Sequence, residues 1–198
     1  MNADPVAQAV AAARRGELIV FPTDTVYGIA ADPADAAATG RLFAAKHRPQ
    51  NLTLPILVGS IGDARDVGVL DDRAERLAAA LWPGALTLVV PRKARSAAWE
   101  LGGDAASVGL RIPDHRLARA VLAAGPLATT SANRSGAPPA TTCEELHAVF
   151  GDDVALYLCD DAPLEGRAST VVSLLGPEPE VLRAGDVDAG VVARLSAG

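Results

Sequence analysis

Cysteine and histidine are scarce in this chain of 198 residues. The two cysteines, Cys143 and Cys159, lie sixteen positions apart without a CxxC pair, and the three histidines are scattered. This pattern excludes the common zinc sites, because their ligands recur at short, fixed spacings. A domain of this length also buries enough surface to fold without a metal or a disulfide. We therefore expect two reduced thiols, as in a cytosolic protein, and no protein-held metal ion.

Long apolar runs are absent as well. No stretch approaches the roughly 18 residues that a membrane-spanning helix needs. The first residues, MNADPVAQAVAAARRGE, carry their arginines after the apolar stretch, which is the reverse of a secretory signal. Apolar residues make up 49% of the chain and the mean hydropathy is +0.20, which excludes a disordered chain. We expect a soluble, cytoplasmic protein without membrane contact, folded as a single domain over residues 1–198.

Positively charged residues are also few, since the chain has 18 lysines and arginines but 24 acidic residues, which gives a net charge of −6. This balance argues against a nonspecific nucleic-acid coat, because phosphate affinity comes from an excess of cations. A local cationic pocket remains compatible with it. Only two of the cations are lysines, Lys46 and Lys93. The presence of a lysine in a chain that otherwise uses arginine suggests a specific task for that lysine, although chance explains it equally well.

The familiar catalytic signatures are missing. No GxxxxGK[ST] loop and no GxGxxG after a strand occurs, so neither a P-loop ATPase nor a Rossmann dehydrogenase is supported. HExxH and GxSxG are absent too, and nothing marks one serine as an activated nucleophile.

Short apolar segments alternate with amphipathic ones, which predicts an α/β protein with a largely buried, mixed sheet. Strands are predicted at 17–21, 55–58, 86–90, 107–112, 126–130, 155–158, 169–174 and 180–183. Helices are predicted from Asp4 to Gly16 and at 35–46, 71–82, 114–125, 142–150 and 188–195. The segment PTDTVYGI after the first strand is predicted to be a loop.

Polar residues directly follow several of these strands, where α/β domains bind ligands. The cluster Thr23, Asp24, Thr25 and Tyr27 is compatible with a ligand site or with a turn that bonds its own backbone. Later in the chain, Ser131 and Asn133 offer a hydroxyl and an amide to a sugar or phosphate, or form an ordinary polar turn.

Two sets of cations also stand out. Pro49 favours an extended Arg48, and if Lys46 lies beyond its helix, alternation directs both cations to one side. Such a pair would bind a phosphate chain, or the cations only interact favourably with the negative C-terminal end of the helix dipole. Ser107 and Arg111 lie four apart on a predicted strand and therefore share a face. Burying Arg111 unpaired is costly, which predicts a carboxylate partner from the protein or from a ligand.

These motifs, in this order, resemble the YrdC family, the threonylcarbamoyl-AMP synthases of tRNA modification. The matching stretches are PTDTVYGI at 22–29, KHRP at 46–49, SVGLRIP at 107–113, TTSANRSG at 129–136, STVV at 169–172 and VLRAG at 181–185. The length matches the short form of the family. Leu52 and Ser173 depart from its pattern, where asparagine and aspartate are frequent. The resemblance implies a YrdC-like fold, an α/β domain with a twisted mixed sheet, flanking helices and a concave ligand-binding face.

The resemblance also implies a reaction, in which L-threonine, bicarbonate or CO₂, and ATP with Mg²⁺ give threonylcarbamoyl-adenylate and pyrophosphate. No permanently bound cofactor is implied. A separate transferase complex would receive the product and modify the adenosine beside the anticodon of tRNA, with at most weak direct tRNA contact. By motif, the threonine pocket would comprise Thr25, Arg111, Ser131 and Ser169. The nucleotide and its phosphates would be surrounded by Lys46, Arg48, Ser107, Asn133, Thr141 and Arg183.

Three other functions remain open at this point. The chain is compatible with a YciO-like relative that has another carbamoylation role. It is also compatible with a non-catalytic RNA-binding module that uses the concave face, whose affinity would fall steeply with salt. A plain ATP hydrolase is the third, and it would turn over ATP without any amino acid.

Overall fold

The computed structural model describes residues 4–164 and 166–197, within which one nine-stranded sheet is flanked by seven α-helices. The helices are α1 (Pro5–Arg14), α2 (Ala36–Lys46), α3 (Ile61–Val67), α4 (Asp72–Leu81), α5 (Arg116–Leu122), α6 (Cys143–Phe150) and α7 (Ala189–Ala197). The strands are β1 (Ile19–Phe21), β2 (Gly28–Ala31), β3 (Ile56–Leu57), β4 (Leu86–Pro91), β5 (Ser107–Arg111), β6 (Leu127–Ser131), β7 (Leu156–Tyr157), β8 (Thr170–Ser173) and β9 (Glu180–Arg183).

The strands lie in the order β7-β1-β2-β6-β3-β5-β4-β8-β9. Three neighbouring pairs are parallel, namely β1 with β7, β3 with β5 and β4 with β8, and the others are antiparallel. The predicted fold class, α/β with a mixed sheet and flanking helices, is therefore confirmed.

The two faces of the sheet are covered differently. One face carries apolar side chains along its strands, among them Ile29, Ile56 and Leu110, and packs on helices α2, α3, α4, α6 and α7 in the larger core. On the other face, α1 and α5 pack over the end of the sheet that begins with β7. Ile19 and Phe21 form a smaller core with them, which extends to Leu127 on β6 and Leu57 on β3. The rest of this second face is left concave, and it carries the candidate site described below.

Local capping residues fix several helix starts where the sequence predicts them. The Asp4 side chain accepts from a backbone amide at the start of α1, with Pro5 in the first turn. Asp35 caps α2 in the same way. Thr142 and Glu145 form a reciprocal capping box at α6.

Two details of the helix prediction are wrong. The N-cap of α5 is His115 rather than Asp114, because the chain stays extended to that residue. The His115 ring contacts Asp160 at 2.9 Å and makes no capping bond. Helix α3 is not predicted, although the Ser60 side chain caps it, because a seven-residue helix shows too little periodicity.

The predicted loop PTDTVYGI is only partly a loop, since β2 begins inside it at Gly28. This glycine does not mark a turn. A Cβ at Gly28 would lie 2.7 Å from the Thr129 methyl group on β6, so a larger residue would force the Thr129 side chain to shift. The glycine therefore marks a close strand-to-strand approach at the edge of the concave face.

The prediction of two reduced thiols is wrong, because Cys143 and Cys159 form a disulfide. The first residue of α6 lies beside the segment that follows β7, which places the two Cα atoms 5.7 Å apart. This separation is within the usual range for a disulfide. Sequence spacing gives no sign of it, because the contact depends on how α6 packs. Of the described helices, none has the length and apolar character needed to cross a membrane.

Candidate active site

A cavity of about 750 Å³ occupies the concave part of the sheet face. Its floor is made of alternate residues from neighbouring strands, including Thr87 on β4, Gly109 on β5 and Val171 on β8. The volume is typical of a small-molecule site. The cavity brings together eight of the ten sequence-predicted site residues: Thr25, Arg48, Ser107, Arg111, Ser131, Asn133, Ser169 and Arg183.

Arg111 lies at one end of this cavity with its guanidinium almost fully buried. It donates to Asp24 Oδ1 at 2.5 Å, to Thr25 Oγ1 at 2.8 Å and to the Gly84 carbonyl at 2.9 Å. The predicted carboxylate partner therefore comes from the protein. A guanidinium has five N–H groups, so two remain without a partner among the described residues. Arg111 can thus hold a second acceptor while Asp24 and Thr25 fix its orientation.

The turn after β1 bonds its own backbone, which is one of the two predicted alternatives, and it also contacts Arg111. The Thr23 hydroxyl donates to the Val26 carbonyl at 2.6 Å and receives backbone amides, which is the self-bonding turn. Thr23 also contacts Thr25 Oγ1 at 2.9 Å, and Thr25 in turn accepts from Arg111. The turn therefore orients the arginine. Asp24, a member of the same predicted cluster, belongs to this arrangement through its ion pair with Arg111.

A second group of contacts fixes Ser169, which also lines the cavity. Its hydroxyl lies 2.9 Å from Thr87 Oγ1, and Arg183 donates to both its hydroxyl and its carbonyl oxygen. Thr87 is a cavity residue that the sequence did not indicate, because it sits inside an apolar strand without a motif. Ser173, one of the departures from the family pattern, also lines the cavity, whereas Leu52 is exposed.

Cations dominate the electrostatics of the cavity. Burial lowers the pKa of Arg48, and the nearby charge of Arg183 lowers it further. Burial also lowers the pKa of Arg111, an effect that Asp24 opposes and Arg183 reinforces. Asp104 is the one carboxylate among the described lining residues. Three arginines therefore line the same cavity. Their local positive charge favours an anionic ligand, although the chain as a whole has a net charge of −6.

Two predicted site residues do not line the cavity. Thr141 instead bonds Glu145 through its amide and its hydroxyl, next to the start of α6. Lys46 is the last residue of α2 and His47 is left-handed, with φ 50°, so the alternation expected for Lys46 and Arg48 does not apply. Lys46 is only 2% exposed, and its Nζ bonds oxygens of Ser131 and Asn133. Burial and the charge of Arg48 lower the pKa of Lys46 to about 7.

The mouth of the cavity has an apolar part. Pro139, Leu175 and Leu182 line it, and the two leucines are about half exposed. Exposed leucines beside arginines suit a ligand with a flat apolar portion and charged groups. Among the described residues, no three His, Cys, Asp or Glu side chains form a cluster that could hold a metal ion.

Comparison with known proteins identifies the family of this chain. The sequence model Sua5_yciO_yrdC, whose description reads "Telomere recombination", matches residues 11–185. The chain belongs to the Sua5/YciO/YrdC family. A protein of Mycobacterium tuberculosis strain H37Rv is 44% identical over 193 residues, which is 96% of this chain and 88% of that relative. The threonylcarbamoyl-AMP synthase of Chromohalobacter salexigens is 39% identical over 182 residues, 89% of this chain and 96% of its own length.

A solved structure adds a ligand to the comparison. The crystal structure of Pyrococcus abyssi Sua5 complexed with L-threonine matches with a TM-score of 0.87 and 30% identity. The match covers 96% of this chain and 56% of the Sua5 chain, so this member of the family spans little more than half of that protein.

Proposed function

We propose that this protein is a threonylcarbamoyl-AMP synthase, which converts L-threonine, bicarbonate or CO₂, and ATP into threonylcarbamoyl-adenylate and pyrophosphate. The observation that carries this proposal is the convergence of Arg48, Arg111 and Arg183 on one cavity lined by serine and threonine hydroxyls. Two anionic groups, a carboxylate and a phosphate chain, match that set of donors. The relatives and the threonine-bound Sua5 support the same substrates.

The chemistry needs no protein nucleophile. The threonine amine forms a bond to the carbon of bicarbonate, water is lost, and the product is a carbamate. A carbamate oxygen then bonds to the α-phosphorus of ATP while the bond to the β-phosphate oxygen breaks, and pyrophosphate leaves. Negative charge builds up on the phosphates during this step. Catalysis therefore consists of positioning and charge neutralisation, both of which a fixed set of arginines supplies.

The two ends of the cavity take different roles in this proposal. At the inner end, the two remaining N–H groups of Arg111 hold the threonine carboxylate. The residues proposed to complete this end are Thr25, Ser131 and Ser169. At the outer end, Arg48 faces the phosphates and the purine lies against the apolar mouth. Arg183 lies between the two ends, because it bonds Ser169, and faces the phosphates from there. The residues proposed to complete the nucleotide end are Ser107 and Asn133, with Thr141 close by.

The metal and the partners follow from the same proposal. Mg²⁺ enters as part of the substrate MgATP and is held by phosphate oxygens and water. The adenylate is a reactive mixed anhydride, so a transferase complex that acts on tRNA would take it over in the cytoplasm.

The test is pyrophosphate release by the purified protein with MgATP, with and without L-threonine and bicarbonate. Release that requires both additions is the expected result. Release without threonine would replace the proposal by an ATP hydrolase. If a folded protein releases none, the function moves to a YciO-like carbamoylation role or to RNA binding.

A further inference from the structure

The side chain of Lys46 does not line the cavity and instead bonds the loop that ends β6. Its ammonium faces three oxygens, the Ser131 carbonyl, the Asn133 carbonyl at 2.6 Å and Asn133 Oδ1 at 3.3 Å. A lysine has three N–H donors, so every donor has an acceptor in this loop. At 2% exposure, Nζ has no donor left for a phosphate oxygen.

The backbone ties the end of α2 to the same loop. The Ser135 amide donates to the Lys46 carbonyl at 2.9 Å, and the Arg134 guanidinium donates to the Ala45 carbonyl. Contacts therefore run in both directions between the last turn of α2 and residues 131–135. Arg134 and Lys46 are the side-chain donors of this group, of which Lys46 is the buried one, and hydrogen bonds from a charged donor are the stronger kind.

The loop holds the two polar groups of the SxN motif in one arrangement. Asn133 Nδ2 donates to the carbonyls of Arg134 and Ala137, so its Oδ1 must be the acceptor. That oxygen accepts from Lys46 and from the Ser131 hydroxyl at 2.6 Å. The hydroxyl proton of Ser131 therefore points to Asn133 Oδ1, and the lone pairs of the Ser131 oxygen remain available to a donor in the cavity.

We infer that Lys46 is a positioning residue, which fixes the 131–135 loop and presents the Ser131 oxygen as an acceptor, and that it does not contact the phosphates. This inference rests on the proposed function for the identity of the substrates. Arg48, which does line the cavity, is the matched cation, and the proposed function places it against the phosphate chain.

The first experiment compares nucleotide affinities by calorimetry for Lys46→Met and Arg48→Met, each with AMP and with MgATP. A positioning role predicts that Lys46→Met loses about the same factor, roughly tenfold, for both nucleotides. Arg48→Met is expected to lose at least tenfold more for MgATP than for AMP. If Lys46→Met shows the Arg48 pattern, or loses no affinity at all, the inference is overturned.

Two further measurements keep the inference testable if Lys46→Met folds poorly or if the wild type binds no nucleotide. Lys46→Gln keeps two N–H donors without the charge, so it should recover part of any activity and stability that Met loses. Amide hydrogen exchange of the ligand-free protein should be at least tenfold faster in residues 131–137 of either variant than in the wild type, with α4 unchanged. Equal exchange in that loop would contradict the inference, whatever the protein catalyses.

Discussion

The ion pair of Asp24 with Arg111 gives the most quantitative prediction, because it is the best-buried pair in the described part of the chain. The guanidinium side chain is 7% exposed and the carboxylate 17% exposed, with 2.5 Å between Nη2 and Oδ1. Asp24→Asn keeps the shape and an oxygen acceptor but removes the negative charge. Arg111 is then left buried with no formal counter-charge in direct contact.

The magnitude follows from that burial. Breaking a buried pair by removing one partner costs about 3–5 kcal/mol, and the acceptor that asparagine retains recovers part of this. We expect Asp24→Asn to lower the free energy of unfolding by about 2–3 kcal/mol. For a chain of this size, that corresponds to a fall in Tm of roughly 4–12 °C.

The assay is urea unfolding followed by circular dichroism, with Asp66→Asn as the matched control. Asp66 pairs with Arg95 at 2.9 Å, but both side chains are about half exposed or more. Such a surface pair contributes about 0–1 kcal/mol. Equal destabilisation by the two variants would refute the reasoning, because burial would then make no difference to the Asp24 pair.

Three other predictions concern substrate binding, pH and the disulfide. Arg111→Ala should raise the KM for threonine at least tenfold more than the KM for MgATP, and an equal change in both would make Arg111 purely structural. Burial and the charge of Arg48 lower the pKa of Lys46 from 10.5 to about 7, so as the pH rises between these values the folded chain gives up the third ammonium proton more readily than the unfolded chain. The unfolding free energy of the wild type relative to Lys46→Met should therefore rise from pH 7 to pH 9, by at most about 1.4 kcal/mol per unit, and a flat difference would contradict it. Cys143→Ser with Cys159→Ser should cost about 3 kcal/mol in oxidising buffer and nothing after reduction of the wild type, as measured by urea unfolding.

Much of the fold can be predicted because its signals are local. The Asp4–Pro5 start, the Asp35 cap and the Thr142 capping box each act within one helical turn, and all are found where the sequence indicates them. Gly28 was misread because a glycine that permits a close strand approach looks, in one sequence, like a glycine that permits a turn. The distinction depends on Thr129, a hundred residues away on another strand.

The site likewise combines features that are local in sequence with contacts between distant residues. Ser107 and Arg111 share the cavity face because strand alternation is a local rule, and that prediction is confirmed. The side-chain partners of Arg111, Asp24 and Thr25, and the partners of Lys46 lie 85 or more residues away in the chain, so no spacing reveals them. The disulfide cannot be predicted from the sequence for the same reason, since its geometry depends on the packing of α6.

The central claim is tested most directly by following the carbon of bicarbonate. The protein is incubated with L-threonine, MgATP and ¹³C-bicarbonate, and the products are separated and weighed by mass spectrometry. The account predicts an adenylate that contains threonine and one labelled carbon, formed together with pyrophosphate. If the nucleotide products are ADP or AMP alone and no labelled adenylate forms, the protein is not a threonylcarbamoyl-AMP synthase.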